Sequence, residues 1–120
     1  MHEIGIANSI LEAVREEMKL HADGIARRVS VRIGELAAVD PDALRFSFEV
    51  MTRGTELESL ELEIELRPRV HYCQRCDFEF AVKEFACRCP LCGNEQTQCT
   101  GGQELELAHL ELEVHAASSA

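Results

Sequence analysis

The chain has 120 residues, of which 46% are hydrophobic, and this length supports one ordinary domain or a small domain with a smaller insert. Its 22 acidic and 12 basic residues give a formal charge of −10, which argues against the basic surface that non-specific nucleic-acid binding needs. No apolar run approaches 18 residues and no signal-peptide pattern is visible, so we expect a cytoplasmic protein without a membrane span.

The first element is predicted to be an amphipathic helix from Glu3 to about Ala22. Its apolar residues recur at the helical period: Ile4, Ala7, Ile10, Leu11, Val14 and Met18. Gly24 follows as the expected terminator. The next segment alternates apolar and polar residues around Val31, which predicts a strand with one buried face and one solvent-facing face.

A second helix is predicted to begin after Asp40, with Pro41 at its first position and Gly54 at its end. A strand follows in LESLELEIELRPRV, where leucine and isoleucine face one way and glutamates the other. The glutamates can pair with arginines of the first strand, but a solvated acidic face is the interpretation we favour.

Residues 70–102 differ in character from the flanking segments, and Pro68 and Gly101-Gly102 bracket them as hinges. Strand alternation resumes in QELELAHLELEVH. Neither flank has enough strands to bury a core alone, so the last strand must return to the first sheet. The predicted fold is therefore α+β, with two helices on a three-stranded, mostly antiparallel sheet and an inserted zinc-ribbon-like lobe.

Two Cys-x-x-Cys pairs lie in the inserted segment, and twelve residues separate them. Pairs at this spacing bring two thiolates to one ion from a tight turn, and four thiolates form the closed tetrahedral site typical of structural zinc. The predicted zinc ligands are Cys73, Cys76, Cys89 and Cys92. Iron in a rubredoxin-like site would use the same ligands, so the spacing alone leaves the metal open.

The remaining cysteines and most histidines show no metal-ligand spacing. Cys87 lies close enough to Cys89 to compete as a ligand, but we favour small half-buried residues for both Cys87 and Cys99. The other histidines are expected to be surface or partner-contacting residues: His21, His71, His109 and His115.

A second metal site is predicted at the N-terminus. His2 offers an imidazole and a backbone nitrogen beside the α-amine of Met1, and the backbone nitrogen of Glu3 can complete an in-plane set of nitrogen donors. Ni(II) and Cu(II) prefer such tetragonal nitrogen sets. Taken alone, His2 is more often an ordinary surface residue.

Together these features resemble the HypA/HybF family of nickel metallochaperones, which mature nickel-iron hydrogenases. The matching motifs cover nearly the whole chain: Met1-His2-Glu3, Pro41, Leu44-x-Phe46-x-Phe48-Glu49, Gly54-Thr55, Arg67-Pro68, the two cysteine pairs and Gly102-x-Glu104-Leu105. Cys87 and Cys99 are not part of the family pattern.

The resemblance implies structural Zn(II) at the four cysteines and Ni(II) as cargo at the N-terminus, with His2 as the essential side chain. Residues 1–69 with 103–120 would form the nickel-binding α+β domain, and residues 70–102 the zinc-binding domain. The implied partners are a nickel-handling GTPase and the hydrogenase large subunit, and some members also serve urease.

We expect a non-enzymatic carrier, because no nucleophile-base arrangement or paired-carboxylate pocket can be argued from the sequence. Nucleic acid and membrane are not expected as partners, and a monomer or weak homodimer is expected. The alternatives are a zinc-ribbon nucleic-acid or transcription accessory module and a rubredoxin-like electron carrier. Colour distinguishes the rubredoxin-like carrier from a zinc protein, since iron bound by four thiolates is red and zinc is colourless.

Overall fold

The computed structural model describes residues 3–114, which form an α+β fold with two helices and two three-stranded sheets. The elements are α1 (Glu3–Leu20), β1 (Gly24–Gly34), a 3-10 turn (Glu35–Ala37), α2 (Pro41–Thr52), β2 (Glu61–Arg67), β3 (Val70–Cys73), β4 (Phe78–Ala81), β5 (Gln98–Gly101) and β6 (Leu105–Val114). The first sheet has the order β2-β1-β6 and the second has the order β4-β3-β5. This confirms the predicted fold class. Within the described range, no helix is both long and apolar enough to cross a bilayer.

The described residues divide into two compact units. Unit 1 comprises residues 3–31, 39–65 and 107–114, and unit 2 comprises Arg32–Ala38 and Leu66–Glu106. Both helices belong to unit 1, whereas β3, β4 and β5 belong to unit 2.

Helix α1 buries one stripe of its surface at the helical period. The stripe consists of Ile6, Ala7, Ile10, Leu11 and Val14. The helix ends at Leu20, slightly earlier than predicted, because a turn follows in which the Gly24 N–H donates to the His21 carbonyl at 2.8 Å. Gly24 therefore opens β1 and does not cap α1.

Strand β1 lies between β2 and β6, and this central position buries more of it than the sequence predicts. Val29, Val31 and Ile33 are buried as expected. Ser30, on the face predicted to be wet, is only 4% exposed, and its hydroxyl donates to the Glu63 carboxylate at 3.2 Å. A buried hydroxyl needs such a partner, because a lost hydrogen bond costs the full desolvation of the group.

Helix α2 begins as its sequence predicts. The Asp40 carboxylate accepts hydrogen bonds from the N–H groups of Asp42 and Ala43 at 3.0 and 3.4 Å, which satisfies donors that lack an intrahelical acceptor. Leu44 and Phe48 are buried. The cap therefore sets the residue at which the helix begins, and the buried apolar face sets how the helix packs.

Two glutamates of β2, Glu61 and Glu63, meet an arginine of β1 while remaining largely in solvent. Arg28 lies 3.4 Å from Glu61 and 3.9 Å from Glu63, and both carboxylates are more than half exposed. Arg32 contacts Glu106 of β6, at 3.4 Å. Exposed ion pairs of this kind contribute only roughly 0–1 kcal/mol to stability. The pairs therefore form, but in energy the face behaves like the solvated surface that we favour from the sequence.

Unit 2 contains a small antiparallel sheet that the sequence pattern did not predict. Strand β3 pairs with β4 on one side and with β5 on the other. The buried cluster of this unit consists of Cys73, Phe80, Val82 and Cys89. Strands of only four residues are too short to show a clear alternation, and half of this core is cysteine.

Two glycines allow a close backbone approach within unit 2. The Gly34 N–H donates to the Glu104 carbonyl at 2.7 Å, and the Leu36 N–H donates to the Gly102 carbonyl at 2.6 Å. A Cβ at Gly34 would lie 2.1 Å from the Gly102 oxygen, and Gly102 itself has a φ of +111°. Only glycine fits this crossing without displacing the backbone.

Candidate metal centre

The first cysteine pair is carried by the turn that joins β3 to β4. Cys73 is the last residue of β3, and Cys76 lies in the turn. Asp77 follows with a φ of +51°, and its carboxylate accepts a hydrogen bond from the Tyr72 hydroxyl at 2.6 Å. Asp tolerates the left-handed region better than most residues, so this turn can fold back without glycine.

The second pair repeats this design in a loop before β5. Gly93 follows Cys92 with a φ of +76°, and its N–H donates to the Cys89 carbonyl at 2.9 Å. The Cys89 N–H donates to the Asn94 carbonyl at 3.0 Å. In both turns the residue after the second cysteine is left-handed, which directs the two thiols of each pair to the same side.

The four sulfur atoms form a compact group. All four lie within 4.8 Å of one another, with Cys73 Sγ 3.7 Å from Cys92 Sγ and Cys76 Sγ 4.0 Å from Cys89 Sγ. A tetrahedral zinc ion with bonds of about 2.3 Å has sulfur–sulfur edges of about 3.8 Å. The donor set therefore fits structural Zn(II), and no fourth position is left open for a substrate.

Burial differs among the four thiols. Cys73 and Cys89 are 0% and 1% exposed, Cys76 is half-buried and Cys92 is exposed. Asn94 Nδ2 also donates to Cys73 Sγ at 3.7 Å. The group thus has a buried side supported by the protein and a side that faces solvent.

The thiols influence one another's ionisation. Burial opposes ionisation of Cys73, but hydrogen bonds from the Cys76 backbone, the Asn94 amide and the neighbouring thiols together lower the pKa of Cys73 to about 6. The hydrogen bond with Cys92, followed by burial and the other thiols, raises the pKa of Cys76 to about 12. A metal must displace the protons that remain, so binding should release protons.

The two cysteines outside the group have different surroundings. Cys87 is half-buried against the small core of unit 2, as expected. Cys99 is exposed, contrary to expectation, and its thiol donates to the Gly101 carbonyl at 3.4 Å. Strand β5 directs this side chain outward.

One histidine was assigned wrongly from the sequence. His21 and His109 are exposed as predicted, and His115 lies outside the described residues. His71, however, is only 5% exposed and lies on β3 two residues before the buried Cys73. Its spacing from a cysteine on the same strand face was the available signal, because side chains alternate along a strand.

The N-terminal prediction is only partly within the described range. Met1 and His2 lie outside the described residues. Glu3 begins α1, and its carboxylate accepts a hydrogen bond from the Asp40 N–H at 3.0 Å. The start of α1 is thereby held beside the start of α2.

Comparison with known proteins identifies a single family over most of the chain. The family model described as "Hydrogenase/urease nickel incorporation, metallochaperone, hypA" matches residues 1–112. This range includes both the N-terminal Met-His-Glu and the four cysteines.

Similar proteins and structures agree with this match. The hydrogenase maturation factor HypA of Roseiflexus sp. is 45% identical, covering 94% of this chain and 93% of that protein, and the same factor of Acidithiobacillus ferrooxidans is 38% identical, covering 94% and 100%. The solution structure of the Ni metallochaperone HypA from Helicobacter pylori is 25% identical with a TM-score of 0.64, covering 96% and 100%. A second HypA solution structure has a TM-score of 0.69 at 25% identity, covering 94% and 97%. The chain therefore belongs to the HypA family of nickel-incorporation metallochaperones for hydrogenase maturation.

Proposed function

We propose that this protein binds Ni(II) at its N-terminus and delivers it to a nickel-iron hydrogenase, while Zn(II) bound by four cysteines maintains the fold of unit 2. The observation that carries the proposal is the family match over residues 1–112, which spans both predicted metal sites. The proposed nickel ligands are the α-amine of Met1, the imidazole and backbone nitrogen of His2, and the backbone nitrogen of Glu3.

The position of Glu3 supports this nickel site. Glu3 is the first residue of α1, so its N–H belongs to the first turn, whose donors have no intrahelical acceptor. Loss of that proton to a metal would break no helical hydrogen bond. The bond from the Asp40 N–H to the Glu3 carboxylate anchors the residue on a fixed element.

The two donor sets suit two different metals. Thiolates form a closed site for zinc, whereas imidazole and amide nitrogens in a plane suit Ni(II). A cargo ion must also leave, and an open set of nitrogens at the end of a chain allows this more readily than a cage of side chains. Because a closed four-thiolate site offers no position for a substrate, we propose a carrier without catalytic activity.

The partners, the cellular location, the oligomeric state and the domain boundaries follow from the same proposal. We propose a nickel-handling GTPase and the hydrogenase large subunit as partners, with urease as a further recipient. We also propose that the protein acts in the cytoplasm as a monomer or weak homodimer. Residues 1–69 with 103–120 are proposed as the nickel-binding domain and residues 70–102 as the zinc-binding domain.

Calorimetric titration of Ni(II) into the untagged, zinc-loaded protein tests the proposal. We expect one high-affinity site that is lost in His2→Ala and retained in His21→Ala, since His21 is an exposed histidine at the other end of α1. An N-terminal extension that removes the free amine should abolish binding as well. Equal nickel affinity in the unmodified protein and in His2→Ala would contradict the proposed site.

A further inference from the structure

His71 is a buried polar side chain that the proposed metal sites do not use. It lies on β3 of unit 2 opposite Phe80 of β4, with ring centroids 6.3 Å apart, and is 5% exposed. A buried imidazole is costly unless both ring nitrogens have partners. Both nitrogens of His71 do have partners, and these lie on different segments.

The hydrogen bonds of His71 have a fixed direction. Arg69 Nε donates to His71 Nε2 at 3.0 Å, so Nε2 carries no proton and Nδ1 carries it. Nδ1 therefore donates to Thr97 Oγ1, 2.9 Å away, and the Thr97 hydroxyl donates to the Cys87 carbonyl at 2.6 Å. Burial, together with the charge of Arg69, lowers the pKa of His71, which agrees with a neutral ring.

The end of this series of bonds lies beside a zinc ligand. The carbonyl of Cys87 is two residues before Cys89, in a segment that belongs to no strand. Beyond Cys89, the turn is fixed by its own bonds to Gly93 and Asn94. On the near side, the Arg88 side chain pairs with Glu95 at the surface, where both side chains are more than 60% exposed, and the Ala86 N–H donates to the Lys83 carbonyl at 3.0 Å. The Thr97 hydroxyl is thus a half-buried anchor for the approach to Cys89.

We infer that Arg69, His71 and Thr97 form a positioning bridge, here called the His71 bridge, which fixes the Cys87 carbonyl and thereby holds the Cys89 thiolate in place for zinc. The inference rests on the proposed zinc site. Groups that orient metal ligands commonly change metal affinity by about 10- to 100-fold when they are removed. The His71 bridge does so through the backbone, because its last acceptor is a carbonyl and not a ligand atom.

Thr97→Val removes the hydroxyl while nearly preserving the shape of the side chain. We expect the zinc-loaded, full-length variant to release zinc to an excess of chromophoric chelator about tenfold faster than the unmodified protein. Thr97→Ser retains the hydroxyl and should restore the slow rate. The matched control is Thr100→Val, because Thr100 is also a threonine of unit 2 but donates to Glu79 and not to Cys87.

A second variant tests whether the bonds act as one series. His71→Phe keeps a ring in the space but removes both nitrogens, so it should also accelerate zinc release. Combined with Thr97→Val it should add little, since interacting residues in one network are not additive. With Co(II) in place of zinc, the visible spectra of all variants should show the bands of four thiolate ligands. These bands should shift in wavelength in Thr97→Val and stay in place in Thr100→Val.

The results separate this inference from the zinc site on which it rests. If the unmodified protein fails to bind one zinc ion per chain, both are overturned. If it binds one zinc ion but Thr97→Val releases it no faster than Thr100→Val, only the His71 bridge is overturned. Faster release in Thr97→Ser as well as in Thr97→Val would also overturn it, because the hydroxyl would then be irrelevant.

Discussion

The two units of this protein are stabilised by different chemistry. Unit 1 has an apolar core to which both helices and β1 contribute, with Leu11, Val14 and Leu44 at or below 1% exposure. Unit 2 has a small hydrophobic cluster in which two of the four buried members, Cys73 and Cys89, are predicted zinc ligands. Hydrophobic burial maintains the first core, whereas we expect the second to depend on a bound metal for part of its stability.

This difference bears on where each metal can reside. We expect a unit whose interior contains the thiolates to lose its fold when its zinc is removed. A unit with its own apolar core can hold and release an ion at its surface while its fold persists. We therefore expect each unit to respond to its own kind of perturbation, and the following tests proceed from the largest expected effect to the smallest.

Zinc removal should have the largest effect and should be confined to unit 2. Structural zinc commonly contributes about 10 kcal/mol or more to small metal-dependent folds. After chelation, amide hydrogen exchange should become fast in β3, β4 and β5 and stay slow in the middle of α1. Unchanged protection of β3 in the zinc-free protein would show that the small sheet folds without metal.

Leu11→Ala should produce the converse effect, because Leu11 is 1% exposed in α1. Truncation of such a buried leucine costs about 2–5 kcal/mol. Urea unfolding followed by helical circular dichroism should shift accordingly, while zinc content remains at one ion per chain. Ile4→Ala is the control, since Ile4 is 65% exposed on the same helix and should cost far less.

Replacement of glycine by alanine should lower stability at one position and raise it at another. Gly34→Ala places a methyl group against the Gly102 carbonyl and should destabilise unit 2 by about 1–3 kcal/mol. Gly5→Ala, in α1 with nothing within 4 Å, should stabilise by about 0.5–1 kcal/mol. Thermal unfolding of both variants checks this, and a stabilised Gly34→Ala would contradict the observed backbone approach.

Loss of the α2 cap should give the smallest effect. Asp40→Ala removes the acceptor for the Asp42 and Ala43 N–H groups and should cost about 1 kcal/mol. Asp40→Asn keeps a capping oxygen and should be nearly neutral. Denaturant unfolding resolves the two variants, and equal losses would mean that the carboxylate charge, and not the cap, is what matters.

Features with a local cause could be predicted from the sequence. Helix α2 is one example, because its cap, first proline and apolar face all lie within one short segment. The four-cysteine group is another, because the short spacing within each pair restricts the geometry of the turns. The sheet of unit 2 could not be predicted in this way, because it arises from contacts among β3, β4 and β5.

The sequence by itself determined the fold class, the two helices and the four thiols that come together. Only the tertiary structure showed that Arg32–Ala38 belongs to unit 2 and that Thr97 joins His71 to the Cys87 carbonyl. The physical reason is the range of the interactions. Caps, helical periodicity and Cys-x-x-Cys turns act between residues a few positions apart, whereas backbone approaches and buried hydrogen-bond networks depend on which distant segments the folded chain brings together.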